Sequence, residues 1–286
     1  MKKVAFLLIL FVFCEANAVD ANVPSQFSIV TFAIGKYEDD WQKEMPVAKE
    51  TAKALVNSFK SNINKKYPNV AFLSKQYENE NVTRTRFKGG ETDNYNFVFY
   101  NGHGSIDKIT MWPKNERIRN TDKSFKGKTF WVLFNSCLVF KNGEANQDSW
   151  FNGVHSILGY SSFSWGYKKY KHYYRCGFLN IGQCSYSRAS YYVERDFATN
   201  WIKEKRGIWD SYKNAVYKWI YKEGGIGVEP KIVYRYGYVD GKFFDPWEET
   251  FENSIQKPVF RKKGEYTGVG SRWSTMGTPC YSTPCK

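Results

Sequence analysis

The chain has 286 residues, with 42 Lys+Arg against 28 Asp+Glu and a formal net charge of +14. That length accommodates one or two domains, and no apolar run is long enough to cross a bilayer comfortably, which argues against a helical membrane-spanning protein. The positive balance favours anionic partners, whether cell-surface polymers, acidic peptides or nucleic acid, without choosing among them.

In chain order, Met1-Lys2-Lys3 is a short basic region, Val4 to Phe13 is apolar throughout, and Ala16-Asn17-Ala18 is a small-x-small cleavage signature. Residues 1–18 therefore read as a secretory signal peptide cut near Ala18, which predicts a secreted, periplasmic or cell-surface protein. Cys14 does not read as a lipid-attachment site, because Phe13 before it is too bulky. Cleavage removes Lys2, Lys3 and Glu15 and leaves a formal charge of +13. Five cysteines remain, in a compartment that favours disulfides. Cys176 with Cys184, and Cys280 with Cys285, are near in sequence and predict two local bridges, which leaves Cys137 over.

Gln26 to Ile34 alternates and then runs apolar, which predicts a first strand. Pro46 to Ile63 places Val47, Ala48, Thr51, Ala52, Leu55, Val56, Phe59 and Ile63 on one helical face, with Pro46 suited to the first turn. Asn69 to Leu73 reads as a second strand and Glu78 to Asn94 as loop. Two short apolar runs, Phe97–Tyr100 and Phe130–Phe134, read as buried strands joined by a basic polar connection, Lys108 to Lys128. Trp150 to His155 reads as a short helix and Ser156 to Ser162 as a further buried strand. Ala189 to Lys222 is helical material broken at Gly207, and 228–262 holds strands and turns. This alternation predicts an α/β domain over residues 19–262, with a mostly parallel central sheet and helices on both faces. From residue 263 to 286 the composition predicts an irregular tail.

His103 and Cys137 each follow one of the two central apolar runs, in Asn101-Gly-His-Gly104 and Asn135-Ser-Cys137. Neighbouring parallel strands deliver their C-terminal ends to one rim, where ligands of α/β proteins bind. A thiol with an imidazole in reach is the minimal unit of thiol nucleophilic catalysis. Cys137 is thus the candidate nucleophile and His103 the general acid/base. The N–H groups of Gly104 and Cys137 are candidates for stabilising an oxyanion. Peptide or amide cleavage through a thioester follows as the reaction class.

Apolar strand, His-Gly, apolar strand, small-polar-Cys resembles the signature of the caspase–gingipain–legumain superfamily of cysteine peptidases. The order of His before Cys and their separation are similar as well. The following segment, Trp150 to Ser162, resembles the family's next strand. The pattern spans about residues 27–222, closest in character to bacterial exported domains of unknown function that carry this core. The resemblance implies a caspase-like three-layer sandwich with His103 and Cys137 as a dyad, no cofactor, and no third orienting residue. No acidic or basic specificity pocket and no activation-cleavage site stands out.

Other residues on the predicted rim carry weaker signals. His155 precedes its strand, at the end facing away from the rim, and His172 falls in the loop after it. With three histidines and the Cys pairs remote, no zinc site is predicted. Trp165 to Arg175 is dense in cations and aromatics. Trp165, Lys168, Lys169 and Lys171 are candidate substrate contacts on a lid braced by the Cys176–Cys184 bridge. No nucleic-acid module accompanies these charges, so nucleic acid is not the expected partner. Gly224-Gly225-Ile226-Gly227 does not open a helix after a strand and is no phosphate loop. The rival reading is a non-catalytic exported binding protein that keeps the fold and uses its basic, aromatic exterior.

Overall fold

Strands buried on both faces need apolar side chains at every position, because a parallel sheet is covered above and below. A computed structural model describes residues 23–37, 45, 47–141, 148–152, 154–161, 171–176, 182–187, 189–221, 228–254 and 265–273. It contains thirteen strands and four α-helices in the order β1 (Gln26–Ala33), α1 (Ala48–Lys66), β2 (Ala71–Glu78), α2 (Arg84–Lys88), β3 (Phe97–Asn101), β4 (Gly104–Ser105), β5 (Lys108–Thr110), β6 (Arg117–Arg119), β7 (Trp131–Asn135), β8 (Ser156–Tyr160), β9 (Lys171–Cys176), β10 (Gly182–Ser187), α3 (Ala189–Ile202), α4 (Ile208–Val216), β11 (Pro230–Val239), β12 (Lys242–Phe244) and β13 (Gly268–Trp273). The central strands β3, β7 and β8 are buried at every residue.

The main sheet runs β2-β1-β3-β7-β8-β11, with β12 and β13 both paired to β11. The first five strands are parallel, and β11 and its partners are antiparallel. The fold is therefore an α/β sandwich built on a mostly parallel sheet. The chain moves outward from β1 to β2, then returns to the other side of β1 as β3. That reversal is a topological switch point, where the carboxyl ends of strands open a crevice.

Two apolar layers flank the sheet. On one face, Phe27, Ile29, Phe97, Phe99, Trp131, Leu133 and Leu158 pack under α1, α3 and α4 through Leu55, Phe59, Phe197, Trp201 and Tyr212. The face predicted for α1 is the one it buries. On the other face, Val30, Phe32, Val98, Tyr100, Val132 and Phe134 meet Phe87 of α2, Ile109 and Ile118 of the small β4-β5-β6 sheet, and Phe125, Phe140 and Trp150. This second layer is one short helix, a three-stranded sheet and loops rather than long helices. Five-residue α2 lies in the stretch read as loop, started by Thr83, whose hydroxyl accepts from the Arg86 N–H at 3.2 Å.

Three further sequence expectations shift. Residues 148–150 form only a 3₁₀ turn and Phe151 bridges to Phe125, where Trp150–His155 read as a helix. Gly268–Trp273, within the stretch read as an irregular tail, pairs along β11 from Lys231 to Tyr236. Its Gly and Ser content hides a strand whose support is backbone pairing to a neighbour. Lys171–Cys176, read as loop, is a strand paired with β10; Tyr173 and Tyr174 give it β propensity. Among the described residues, no helix is long and apolar enough to cross a membrane.

Candidate active site

β3 and β7 are adjacent and parallel, with Asn101 opposite Asn135 at their last paired position. His103 and Cys137 each lie two residues beyond that pair, on strands about 4.8 Å apart. Their placement on one rim follows from strand register alone. Both are partly exposed, and Cys137 is not in a disulfide.

The two loops touch directly. A Cβ built on Gly104 would run into Ser136 Oγ and lie 2.9 Å from the Cys137 carbonyl oxygen. Only glycine lets the His103 loop lie this close to the Cys137 loop. Ser136 is fully buried, and its hydroxyl finds no hydrogen-bond partner among the described residues. Beyond Cys137, Leu138 takes φ +58°, in the left-handed region. This turn redirects the chain so that the Phe140 N–H donates to the Tyr160 carbonyl at 3.1 Å, tying the Cys137 loop to the end of β8.

The Gly104 N–H is not used by the neighbouring strand. The Thr110 N–H donates to the His103 carbonyl at 2.9 Å, and Gly104 stands opposite Ile109 at the next position. Antiparallel pairs alternate between bonded and non-bonded, so the Gly104 N–H points away from β5.

In the helical layer Tyr160 of β8 packs against Tyr212 of α4, with ring centroids 5.9 Å apart. Burial above all pushes the Tyr160 hydroxyl well above its ordinary range. Glu194 of α3 is fully buried with neither carboxyl oxygen partnered among the described residues, and burial raises its carboxyl well above the usual range. A buried carboxyl that holds its proton thus sits near the Tyr160 phenol.

Sequence reasoning missed the aromatic support of His103. Tyr37, four residues past β1, is fully buried and accepts a hydrogen bond from the His103 backbone N–H at 2.9 Å. Tyr100 donates to the His103 carbonyl at 3.1 Å and to the Thr110 carbonyl. Tyr37 follows the strand beside β3, at the switch point, a neighbourhood that topology and not sequence spacing sets.

Of the other candidates, His155 lies at the opposite rim, before β8, with Nδ1 2.8 and 3.0 Å from the two carboxylate oxygens of Glu249. It plays no part near Cys137. His172 lies in β9 rather than a loop. Trp165, Lys168, Lys169, Cys280 and Cys285 lie outside the described residues. So do the side chains of Lys171, Cys176 and Cys184, and with them the two predicted bridges. The backbone register sets Cys184 opposite Tyr174 and Cys176 opposite Gly182. Residues 1–22, which hold the signal-peptide reading, are also outside. Among the described residues, no group of three or more His, Cys, Asp or Glu is placed to hold a metal ion.

A family model described as a domain of unknown function, DUF6345, matches residues 33–177, just over half of the chain. The chain belongs to that family. The DUF6345 match begins at the end of β1 and spans β3 and β7, so it contains Tyr37, His103 and Cys137. No curated protein matches the chain.

Proposed function

We propose that this chain is an exported, cysteine peptidase-like hydrolase that cleaves peptide or amide bonds with Cys137 as nucleophile and His103 as general acid/base. The observation that carries the reading is the paired ends of β3 and β7, which bring a cysteine outside any disulfide and a histidine to one rim through two loops in van der Waals contact. In this reading His103 takes the thiol proton, and the thiolate adds to the carbonyl carbon. The Gly104 and Cys137 N–H groups hold the oxyanion. The imidazolium returns its proton to the leaving amine as the C–N bond breaks. Water, deprotonated by the same ring, then releases the acid from the thioester. Export rests on the pattern of residues 1–18, and the basic surface suits an anionic extracellular setting.

Wild-type and Cys137→Ala proteins are incubated with a mixed peptide library, and new termini are read by mass spectrometry. Cleavage by the wild type and none by Cys137→Ala supports the reading. Equal cleavage by both, or none by either at high enzyme concentration, contradicts it; the second outcome leaves the binding-protein rival.

A further inference from the structure

We propose that Tyr37, supported by Tyr100, is a positioning residue for the His103 imidazole, holding the Gly102–Gly104 backbone in the one orientation that aims the ring at the Cys137 loop. The proposal rests on the dyad reading above and adds the device that orients its base.

Three groups converge on His103. Its N–H donates to Tyr37 Oη at 2.9 Å. Its carbonyl accepts from Tyr100 Oη at 3.1 Å and from the Thr110 N–H at 2.9 Å. The Tyr37 ring lies beside the imidazole, with centroids 5.2 Å apart and planes tilted by 32°. Each hydroxyl has a single proton, and the geometry gives it a direction. Tyr37 accepts from His103, so its own proton goes to Tyr100 Oη at 3.4 Å or to the Thr110 carbonyl at 3.5 Å. Tyr100 shares its one proton between the Thr110 carbonyl, the nearer acceptor, and the His103 carbonyl. The chain of donors ends on β5, whose backbone is fixed by its own pairing. Both phenols are fully buried, and burial pushes the Tyr37 hydroxyl up to about 12, so it stays neutral wherever a thiol and an imidazole react.

Gly102 shows how closely the clamp is fitted. A Cβ there would lie 2.7 Å from Tyr37 Oη and collide with the Tyr100 hydroxyl. The sequence gives no sign of the arrangement, because the clamp joins positions 66 apart. The loop ends of β1 and β3 meet only once the sheet reverses direction between them. A base whose backbone is held at both peptide groups has little freedom to drift, and small displacements of a reacting group are costly in rate.

The test reads the rate at which a small alkylating agent modifies Cys137, followed site by site by mass spectrometry from pH 5 to 9. It uses the wild type, His103→Ala, Tyr37→Phe and Tyr100→Phe. Tyr37→Phe keeps the ring and removes the oxygen that receives the His103 N–H. It is expected to slow alkylation at neutral pH about tenfold and to move the profile toward that of a free thiol, with far-UV circular dichroism unchanged. Tyr100→Phe is expected to do the same about threefold, and it carries the test if Tyr37→Phe does not fold. A merely structural role would lower the melting temperature without moving the profile. If His103→Ala slows alkylation while both tyrosine variants match the wild-type profile, the clamp is overturned and the dyad stands. If His103→Ala itself matches the wild type, the dyad is overturned and the clamp with it.

Discussion

Removal of the Glu249 side chain tests the packing that supports the site from the far end of the sheet. Glu249 is fully buried, and its carboxylate accepts from Trp131 Nε1 at 2.9 Å and meets His155 Nδ1 at 2.8 Å. Its backbone carbonyl separately accepts from Trp201 Nε1 at 3.1 Å and from the Ile208 N–H at 2.8 Å. Glu249→Ala keeps the two carbonyl bonds and orphans two buried ring N–H groups. An unsatisfied buried donor costs about 1–3 kcal/mol, so two together cost about 4 kcal/mol. For a chain of this size each kcal/mol lowers the melting temperature by about 2–4 °C, so the variant should melt about 8–16 °C lower. Urea unfolding followed by Trp fluorescence measures the loss directly. Because β7 spans about 17 Å between this cluster and the Cys137 rim, alkylation of Cys137 in the folded variant should keep its wild-type rate. A loss under about 1 kcal/mol would refute the reasoning, since the two ring N–H groups would then have found other partners. A change in Cys137 reactivity at constant fold would equally contradict the separation of the two ends.

Two further outcomes follow from named contacts. Glu194 keeps its proton in the folded chain well above the pH at which an exposed carboxyl loses it. Above the ordinary carboxylate pKa the unfolded chain therefore binds one proton fewer, and folded stability falls as pH rises, by up to about 1.4 kcal/mol per unit. Glu194→Gln removes that slope, so its stability relative to the wild type should climb between pH 5 and 7 in parallel denaturant titrations; a constant difference would show that Glu194 ionises normally. Gly104→Ala drives a methyl group into Ser136 Oγ and the Cys137 carbonyl. It should cost about 1–3 kcal/mol by overpacking and slow Cys137 alkylation more than it lowers the melting temperature would explain. Wild-type stability and labelling would mean that the two loops are not in contact.

Much of the sheet was legible because its central strands are buried on both sides. Phe97–Tyr100 and Phe130–Phe134 had no other use for unbroken apolar runs, and the α1 stripe from Ala48 to Ile63 had a single face to bury. Those two strands also set the candidate site, since His103 and Cys137 needed only correct strand ends and adjacency. The layer opposite the long helices was not legible. Ile109, Ile118 and Phe125 are scattered through a polar connection, and each is buried by a different neighbour rather than by a periodic face. β13 was hidden because its pairing with β11 is a backbone property that Gly and Ser do not advertise. Tyr37 was missed because its role depends on which strand lies beside β3, and topology supplies that information.

The central claim is that the sulfur of Cys137 is activated by the ring of His103. The most direct measurement is the second-order rate of Cys137 alkylation at pH 6, resolved from the other cysteines by mass spectrometry, for the wild type and His103→Ala. Since an ordinary thiol near pKa 8.5 is almost wholly protonated there, an activated Cys137 should react about a hundredfold faster than free cysteine and lose that advantage in His103→Ala. A wild-type rate equal to that of free cysteine, or a fast rate indifferent to His103, would contradict the account.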